Sequence, residues 1–213
     1  MRERKLTPID QLITTLSHGL QTLTTKPVAK RNYPGRTPDS DTLSQTERDR
    51  SARYMRVNHV GEICAQALYE SQALTAKSNE VKTQMQQSAQ EEVDHLAWCE
   101  QRIAELGGRT SLLNPIWYAG SFTMGTLAGM AGDKWNLGFV AETERQVVAH
   151  LESHLGVLPE ADHRSREIIS QMKSDESEHA KMAVDAGANP LPKPIRKLMG
   201  LTARIMTKTA HWI

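Results

Sequence analysis

Apolar and polar residues alternate along this chain with a helical period almost throughout. Residues 8–24 place Ile9, Leu12, Ile13, Leu16, Leu20 and Leu23 three and four apart, with Thr, Gln, Ser and His between them. The pattern predicts a short amphipathic helix, suited either to packing on a bundle or to lying on a membrane. Residues 25–43 contain Pro27, Pro34, Gly35 and Pro38 with few apolar groups, and read as a linker or an ordered wrap. Ser44-Gln45-Thr46-Glu47 has the form of a capping box and opens a long helix from about 46 to 77. Ser78 or Asn79 caps a second, ended by Gly107-Gly108. Asn114-Pro115 opens a third segment, with proline in the first helical turn. Asp133 is placed to cap a helix running to about 157, which Pro159 ends. A further helix covers about 161–187 and stops at Gly187. Pro190, Pro192 and Pro194 then force an extended link before a last amphipathic stretch. No β pattern of any length appears.

The segment from Pro115 to Val140 departs from this regularity. It holds Ile116, Trp117, Phe122, Met124, Leu127, Met130 and Trp135, and glycine recurs at 120, 125, 129, 132 and 138. It is too glycine-rich and interrupted to span a bilayer. In a four-helix bundle its simplest role is the long crossover between two helix pairs. Its apolar side chains then either pack on the core or face a membrane or a greasy substrate. The tail, 195–213, alternates Leu198, Met199, Leu201, Ile205, Met206 and Trp212 with Arg196, Lys197, Arg204 and Lys208. A basic amphipathic helix with a terminal Trp suits an anionic membrane surface, and equally suits docking on the bundle.

Length and composition narrow the reading further. A chain of 213 residues suits a single core. The division is an N-terminal helix and linker at 1–43, a bundle at 44–190 with its crossover at 114–132, and a C-terminal helix at 191–213. A net charge of +1 gives no reason to expect nucleic acid as a partner. Cys64 and Cys99 lack Cys-x-x-Cys spacing, so a reducing compartment is the simpler setting. The charged start, Met1-Arg2-Glu3-Arg4-Lys5, is not followed by the apolar run of a signal peptide, and no transmembrane span is expected.

One polar pattern breaks the apolar faces, and it occurs twice. Glu62 is followed by Glu92-Val93-Asp94-His95, and Glu144 by Glu176-Ser177-Glu178-His179. Composition alone predicts roughly 0.6 Glu-x-x-His matches in such a chain, and three are present. The third, Glu160 to His163, follows Pro159 and has polar neighbours, so it is set aside. The other two lie on faces that should be buried. Glu92 shares its face with Met85, Ala89, Leu96 and Cys99, and Glu144 with Leu137, Val140, Val148 and Leu151. Glu176 sits among Ile169, Met172, Ala180 and Ala183. Glu62 has a mixed face of Met55, Asn58, His59, Gln66 and Tyr69.

Buried, unpaired carboxylates each cost several kcal/mol, so four together call for cations. Two divalent ions would neutralise them. A Glu from each of two helices and Glu-x-x-His from each of two others is the ligand set of ferritin-like two-metal proteins. Glu62, Glu92, His95, Glu144, Glu176 and His179 are therefore the expected ligands of an all-α, ferritin-like four-helix bundle with a crossover helix and terminal helices. Carboxylate and imidazole donors suit iron or manganese, and two ferrous ions per chain could pass two electrons to O₂. Glu92 and Glu176 are the bridging candidates, because each also positions a histidine one turn on. Glu62 and Glu144 would then be terminal. His59, His150 and Tyr69 are candidate supporting residues near the ligands. His150 and His154 have the spacing of a separate metal pair but no evident third ligand.

At these residues the chain resembles a known family. Arg56-Val57-Asn58-His59-Val60-Gly61-Glu62, then Glu92 to Leu96, Glu144, and Asp175 to His179 look like the demethoxyubiquinone hydroxylases of ubiquinone biosynthesis. The likeness extends to Leu113-Asn114-Pro115-Ile116 and Met206-Thr207-Lys208. It implies the same six ligands, O₂ as co-substrate, and hydroxylation of a polyprenyl-methoxy-methyl-benzoquinol. It also implies a peripheral protein on the cytoplasmic side of the cell membrane, with a lipophilic quinol as substrate. Other ubiquinone-biosynthesis proteins are its implied partners, and an oligomer is compatible with it. His150 matches a family histidine six residues after the third Glu, which implies a part in electron or proton delivery. The rival readings are a peroxide-reducing or iron-binding protein of the same fold and a tRNA hydroxylase. The first kind often carries a Cys₄ module that two cysteines cannot supply, and the last should show a basic face.

Overall fold

The computed structural model describes residues 7–39 and 43–213, without the side chains of Pro8 and Leu12. The side chain of Leu12 in the first apolar stripe and the charged start at 1–5 thus lie outside what is described. The described chain forms helices α1 (Pro8–Thr24), α2 (Gln45–Thr75), α3 (Asn79–Glu105), α4 (Asn114–Met130), α5 (Asp133–Val157), α6 (His163–Asp185) and α7 (Lys193–Ala210), with no strand among the described residues.

The helix starts follow from local chemistry. Ser44 and Glu47 form the expected capping box at α2, and Thr7 and Asp10 form another at α1. Ser78 caps α3 and Asp162 caps α6 through their side chains. Asp133 does not cap α5. The N-cap is Gly132, whose φ of +109° lets the chain reverse without a side-chain cap. The carboxylate of Asp133 is thereby free to accept the Lys77 and Ser78 backbone N–H groups, both at 2.8 Å, which ties the α2–α3 turn to the start of α5.

Helices α2, α3, α5 and α6 make the bundle, and their apolar residues fall into two layers. One holds Met55, Trp98, Cys99, Ile103, Leu151, Ile168 and Met172. The other holds Tyr69, Val81, Met85, Leu137, Val140 and Ala183. Numbering climbs from the first layer to the second in α2 and α6, and in the opposite sense in α3 and α5. Hence α2 runs parallel to α6 and antiparallel to α3 and α5. In each helix the lone Glu or the Glu-x-x-His lies between its two apolar layers, which places the polar set at mid-bundle.

Helix α4 carries the chain from the end of α3 to the start of α5, packed along α2. Its glycines explain the fit. A Cβ at Gly125 would stand 2.9 Å from the Leu68 carbonyl oxygen, and one at Gly129 would overlap Thr75. Only residues without side chains let the two backbones approach so closely.

The terminal helices leave their apolar stripes uncovered. Ile9, Ile13, Leu16 and Leu20 of α1 are 61–69% exposed, although α1 packs on α2 and α4 and Gly19 abuts the Tyr118 ring. Ile116, Leu127 and Met130 of α4 are exposed in the same way, as are Leu198, Leu201 and Ile205 of α7 and Trp212 just after it. α7 docks through Met206 and Ala210 on Val57, Val60 and Trp117. α1, α4 and α7 all lie against α2, so the stripes flank one helix. No helix among the described residues is long and apolar enough to cross a membrane.

Residues 25–39 form an ordered wrap. Arg102 of α3, 2% exposed, donates to Asp39 and Asp162 at 2.7 Å, to Glu105 at 3.0 Å and to Ser165 at 2.9 Å. Its five N–H groups thus hold the wrap and the start of α6 to α3.

Candidate metal centre

The structure brings all six sequence-predicted ligands to one mid-bundle layer, and none is more than 3% exposed. Ligand atoms of Glu62, Glu92, His95 and Glu176 lie within 4.8 Å of one another, a group able to hold a metal ion. His95 Nδ1 stands 3.1 Å from Glu92 Oε2, 3.1 Å from Glu176 Oε1 and 3.5 Å from Glu62 Oε2. His179 Nδ1 stands 3.0 Å from Glu176 Oε2 and 3.4 Å from Glu92 Oε1. Glu92 and Glu176 therefore each present one oxygen to each histidine. Glu62 sits on the His95 side. Glu144 is hydrogen-bonded by the Tyr69 hydroxyl at 2.6 Å, and the Tyr69 ring meets the His179 ring edge-on with centroids 6.0 Å apart.

The electrostatics reflect carboxylates crowded away from water. Burial pushes Glu62 well above the usual carboxylate range, and the charges of Glu92 and Glu176 add to this against the pull of His95. Burial, then Glu176 and Glu92, do the same to Glu144. For Glu92 burial also works upward, but hydrogen bonds from His179 and His95 prevail and hold it well below. Burial alone would lower both histidines. Contacts with Asp175, Glu176, Glu62 and Glu92 instead raise His95 well above its ordinary value, and Glu176 and Glu92 push His179 up to about 12.

This donor set fits a pair of divalent cations. Glu92 Oε1, Glu144 Oε2 and Glu176 Oε1 are buried without a hydrogen bond, although two of them lie near a histidine nitrogen. Free carboxylate lone pairs in a dry interior are what hard cations require. Metal at the Nδ1 atoms would supply the positive charge that the crowded carboxylates call for.

Sequence reasoning missed the residues that hold the histidines. His95 Nε2 lies 2.9 Å from Asp175 Oδ2, and His179 Nε2 lies 2.8 Å from Glu91 Oε2. Each acceptor immediately precedes the Glu of the opposite Glu-x-x-His. A repeated acidic pair, Glu91-Glu92 and Asp175-Glu176, was the available signal. Asp94 is buried and turned from the site, where it accepts from the Lys30 backbone N–H at 2.6 Å. Arg31, from the wrap, donates to Asp94 at 2.8 Å and to Asp175 at 2.9 Å, with its guanidinium 4.7 Å from the Trp98 ring centre. No periodicity singles out Arg31 among the basic residues of a proline-rich segment.

Of the supporting residues expected from sequence, Tyr69 is at the site. His59 is buried with Nδ1 unpartnered and touches no ligand by hydrogen bond. His150 lies against His154, ring centroids 4.0 Å apart, rather than against a ligand. Glu160 is exposed in the turn before α6, as its discarded motif required. A groove of about 540 Å³ between α1, α2 and α3 reaches inward to Tyr69, passing Thr14, His18, Gln66, Ala89 and Val93.

Comparison with known proteins agrees with this architecture. The family model for ubiquinone biosynthesis protein COQ7 matches residues 49–210. The chain is 55% identical over 205 residues to a 3-demethoxyubiquinol 3-hydroxylase of Nitrosomonas eutropha, covering 96% of this chain and 99% of the relative. It is 52% identical over 209 residues to a protein so named from Polynucleobacter necessarius, covering 98% and 100%. A third such relative, from Bordetella pertussis, is 50% identical over 211 residues, covering 99% and 95%. An all-helical bundle with a buried carboxylate–histidine centre, matched over most of its length, belongs to the family of the ubiquinone biosynthesis protein COQ7.

Proposed function

We propose that this chain is a di-iron quinol monooxygenase, hydroxylating a demethoxyubiquinol with O₂ as co-substrate. The observation that carries the reading is the placement of Glu92 and Glu176, each with one oxygen beside His95 Nδ1 and one beside His179 Nδ1. Glu92 and Glu176 would each hold both metals, with Glu62 and Glu144 as terminal ligands, so that all six donors would be used. Iron fits the mixed carboxylate–imidazole set and supplies the electrons that activate O₂. The relatives named 3-demethoxyubiquinol 3-hydroxylase support the substrate.

The chain's own residues do the rest. Asp175 and Glu91 hold each imidazole by Nε2 and so aim Nδ1 at the metal position. Tyr69 holds Glu144 and closes the inner end of the groove. A quinol head entering there meets the Gln66 and His18 side chains before it reaches the centre. The two apolar layers exclude bulk water from both sides of the centre.

The substrate is lipophilic, and the uncovered stripes of α1, α4 and α7 fit peripheral attachment to the cell membrane. Two free cysteines accord with the cytoplasmic side. Other ubiquinone-biosynthesis proteins would be neighbours there.

Anaerobic loading with ferrous iron should give about two irons per chain, the number held by a two-metal site. Cells carrying only Glu176→Ala should accumulate the demethoxy quinone. Unchanged quinones, or a chain that retains only zinc, would overturn the reading.

A further inference from the structure

Three arginines gather at the end of α7 with no anionic partner among the described residues. Arg56 of α2 is only 9% exposed, and its hydrogen bond runs from Nε to the Arg109 carbonyl oxygen at 2.8 Å. Arg53, one turn earlier, places its guanidinium 5.0 Å from the Trp212 ring centre. Arg109 follows α3 and is exposed. His211 lies beside Trp212, with centroids 5.0 Å apart, and beside Tyr54 at 5.4 Å. Among the described residues no carboxylate lies within salt-bridge distance of Arg53, Arg56 or Arg109. The buried arginines and lysines of folded proteins are ordinarily paired. Arg102 in this same chain illustrates the rule, with Asp39, Glu105 and Asp162 around it.

Among the described residues, the charges that act on Arg56 and His211 are cationic. Burial lowers Arg56, and Arg109 and Arg53 lower it further. Burial and the same Arg53 and Arg56 hold His211 below its ordinary value. Such an arrangement is self-repulsive and is relieved by a bound anion. The chemistry is selective as well. Guanidinium forks donate two parallel N–H bonds to phosphate oxygens, and stacking on Trp212 keeps the edge of Arg53 free to donate.

The surroundings identify the anion's source. Leu112 and Ile116, which follow Arg109 in the chain, are exposed, and so are Ile213 and Trp212, the ring that Arg53 meets. A free phosphate has no use for such a rim, whereas a phosphate with acyl chains attached does. We propose that Arg53, Arg56 and Arg109, beside His211 and Trp212, bind the phosphodiester of an anionic phospholipid. The site fixes the lipid-facing side of the molecule at a defined headgroup. It rests on the reading of the α1, α4 and α7 stripes as a membrane face only for its setting, not for its chemistry.

Two probes separate these claims. The first is dihexanoyl-phosphatidylglycerol below its micellar concentration, titrated into the full chain and followed by the Arg56 Nε–H NMR signal. Saturable binding, one lipid per chain, is expected. Arg53→Gln with Arg109→Gln should weaken it by about fivefold per guanidinium, roughly 25-fold together. Lys197→Gln with Arg204→Gln, which removes two exposed cations from α7, should leave it unchanged. No saturable binding, equal losses in both double variants, or equal affinity for inorganic phosphate would overturn the proposal. The second probe is flotation with neutral phosphatidylcholine vesicles and with vesicles containing phosphatidylglycerol. A chain that binds the soluble lipid but neither vesicle keeps the phosphate site and refutes the membrane face.

Discussion

His179 Nε2 on α6 lies 2.8 Å from Glu91 Oε2 on α3, so the residue that aims one histidine belongs to the helix that carries the other. His95 returns the relationship through Asp175, at 2.9 Å. The α3–α6 pair therefore orients both imidazoles. Glu91→Ala and Asp175→Ala should each weaken iron binding about 10–100-fold, the usual effect of losing such a partner. The helical circular dichroism signal should not change, since both carboxylates reach solvent. Ferrous titration under anaerobic conditions measures this, and affinities within a factor of two of wild type would remove the orienting role.

The ligands should not be equivalent. Glu92 and Glu176 each face both histidines, so Glu92→Ala or Glu176→Ala should lose both irons. Glu144→Ala leaves Glu62, Glu92, His95 and Glu176 together and should retain about one iron per chain, because that quartet still forms a site. Metal analysis after reconstitution distinguishes the two outcomes. Equal losses in all three variants would contradict the bridging assignment.

Arg102→Ala should destabilise the chain by about 3–5 kcal/mol, because it leaves Asp162 buried and unpaired and frees the wrap at Asp39. Denaturant unfolding of the metal-free protein measures the loss. A change below about 1 kcal/mol, typical of an exposed ion pair, would show that the network is not holding the wrap.

Two glycines of α4 should respond with opposite sign. Gly125→Ala drives a Cβ toward the Leu68 carbonyl and should cost about 1–3 kcal/mol. Gly120→Ala meets nothing within 4 Å on an exposed face and should gain about 0.5–1 kcal/mol from helix propensity. Thermal unfolding of both variants decides it.

Burial lowers His59 from an ordinary value of 6.5 to about 4. The unfolded chain therefore binds its proton first. The stability that neutral His59 contributes is complete above about pH 6.5 and is lost as pH falls toward about 4. Between pH 7 and pH 5 the wild type should lose about 2 kcal/mol more than His59→Gln. Parallel slopes for the two proteins would mean that His59 is not held neutral. Burial, with the charges of His150 and His211, lowers His154 to about 3, so His154→Gln should flatten the same pH range.

How much the sequence foretold depends on how many neighbours an element has. α3 and α6 bury one stripe each, so periodicity placed Glu92, His95, Glu176 and His179 on the inner face before any coordinates. α2 is in contact with α1, α3, α4, α5 and α7 and is buried on nearly all sides. A helix covered all round has no amphipathic phase to read, which is why the face of Glu62 looked mixed. The stripes of α1 and α7 were legible as amphipathic, but the same periodicity describes a helix docked by its apolar face and one that turns that face outward.

The sequence by itself therefore determined the helices, their order, and six carboxylate and imidazole side chains at matching heights, because these follow from residue spacing of 3.6 per turn and from the cost of burying carboxylates. The tertiary structure alone decided that Asp175 and Glu91 cross to the opposite histidine, that Arg31 reaches the centre from the wrap, and that Asp133 secures a neighbouring turn instead of its own helix. These are contacts between residues up to 144 positions apart. A local pattern carries no record of them, since it is packing that sets which side chains meet across a bundle.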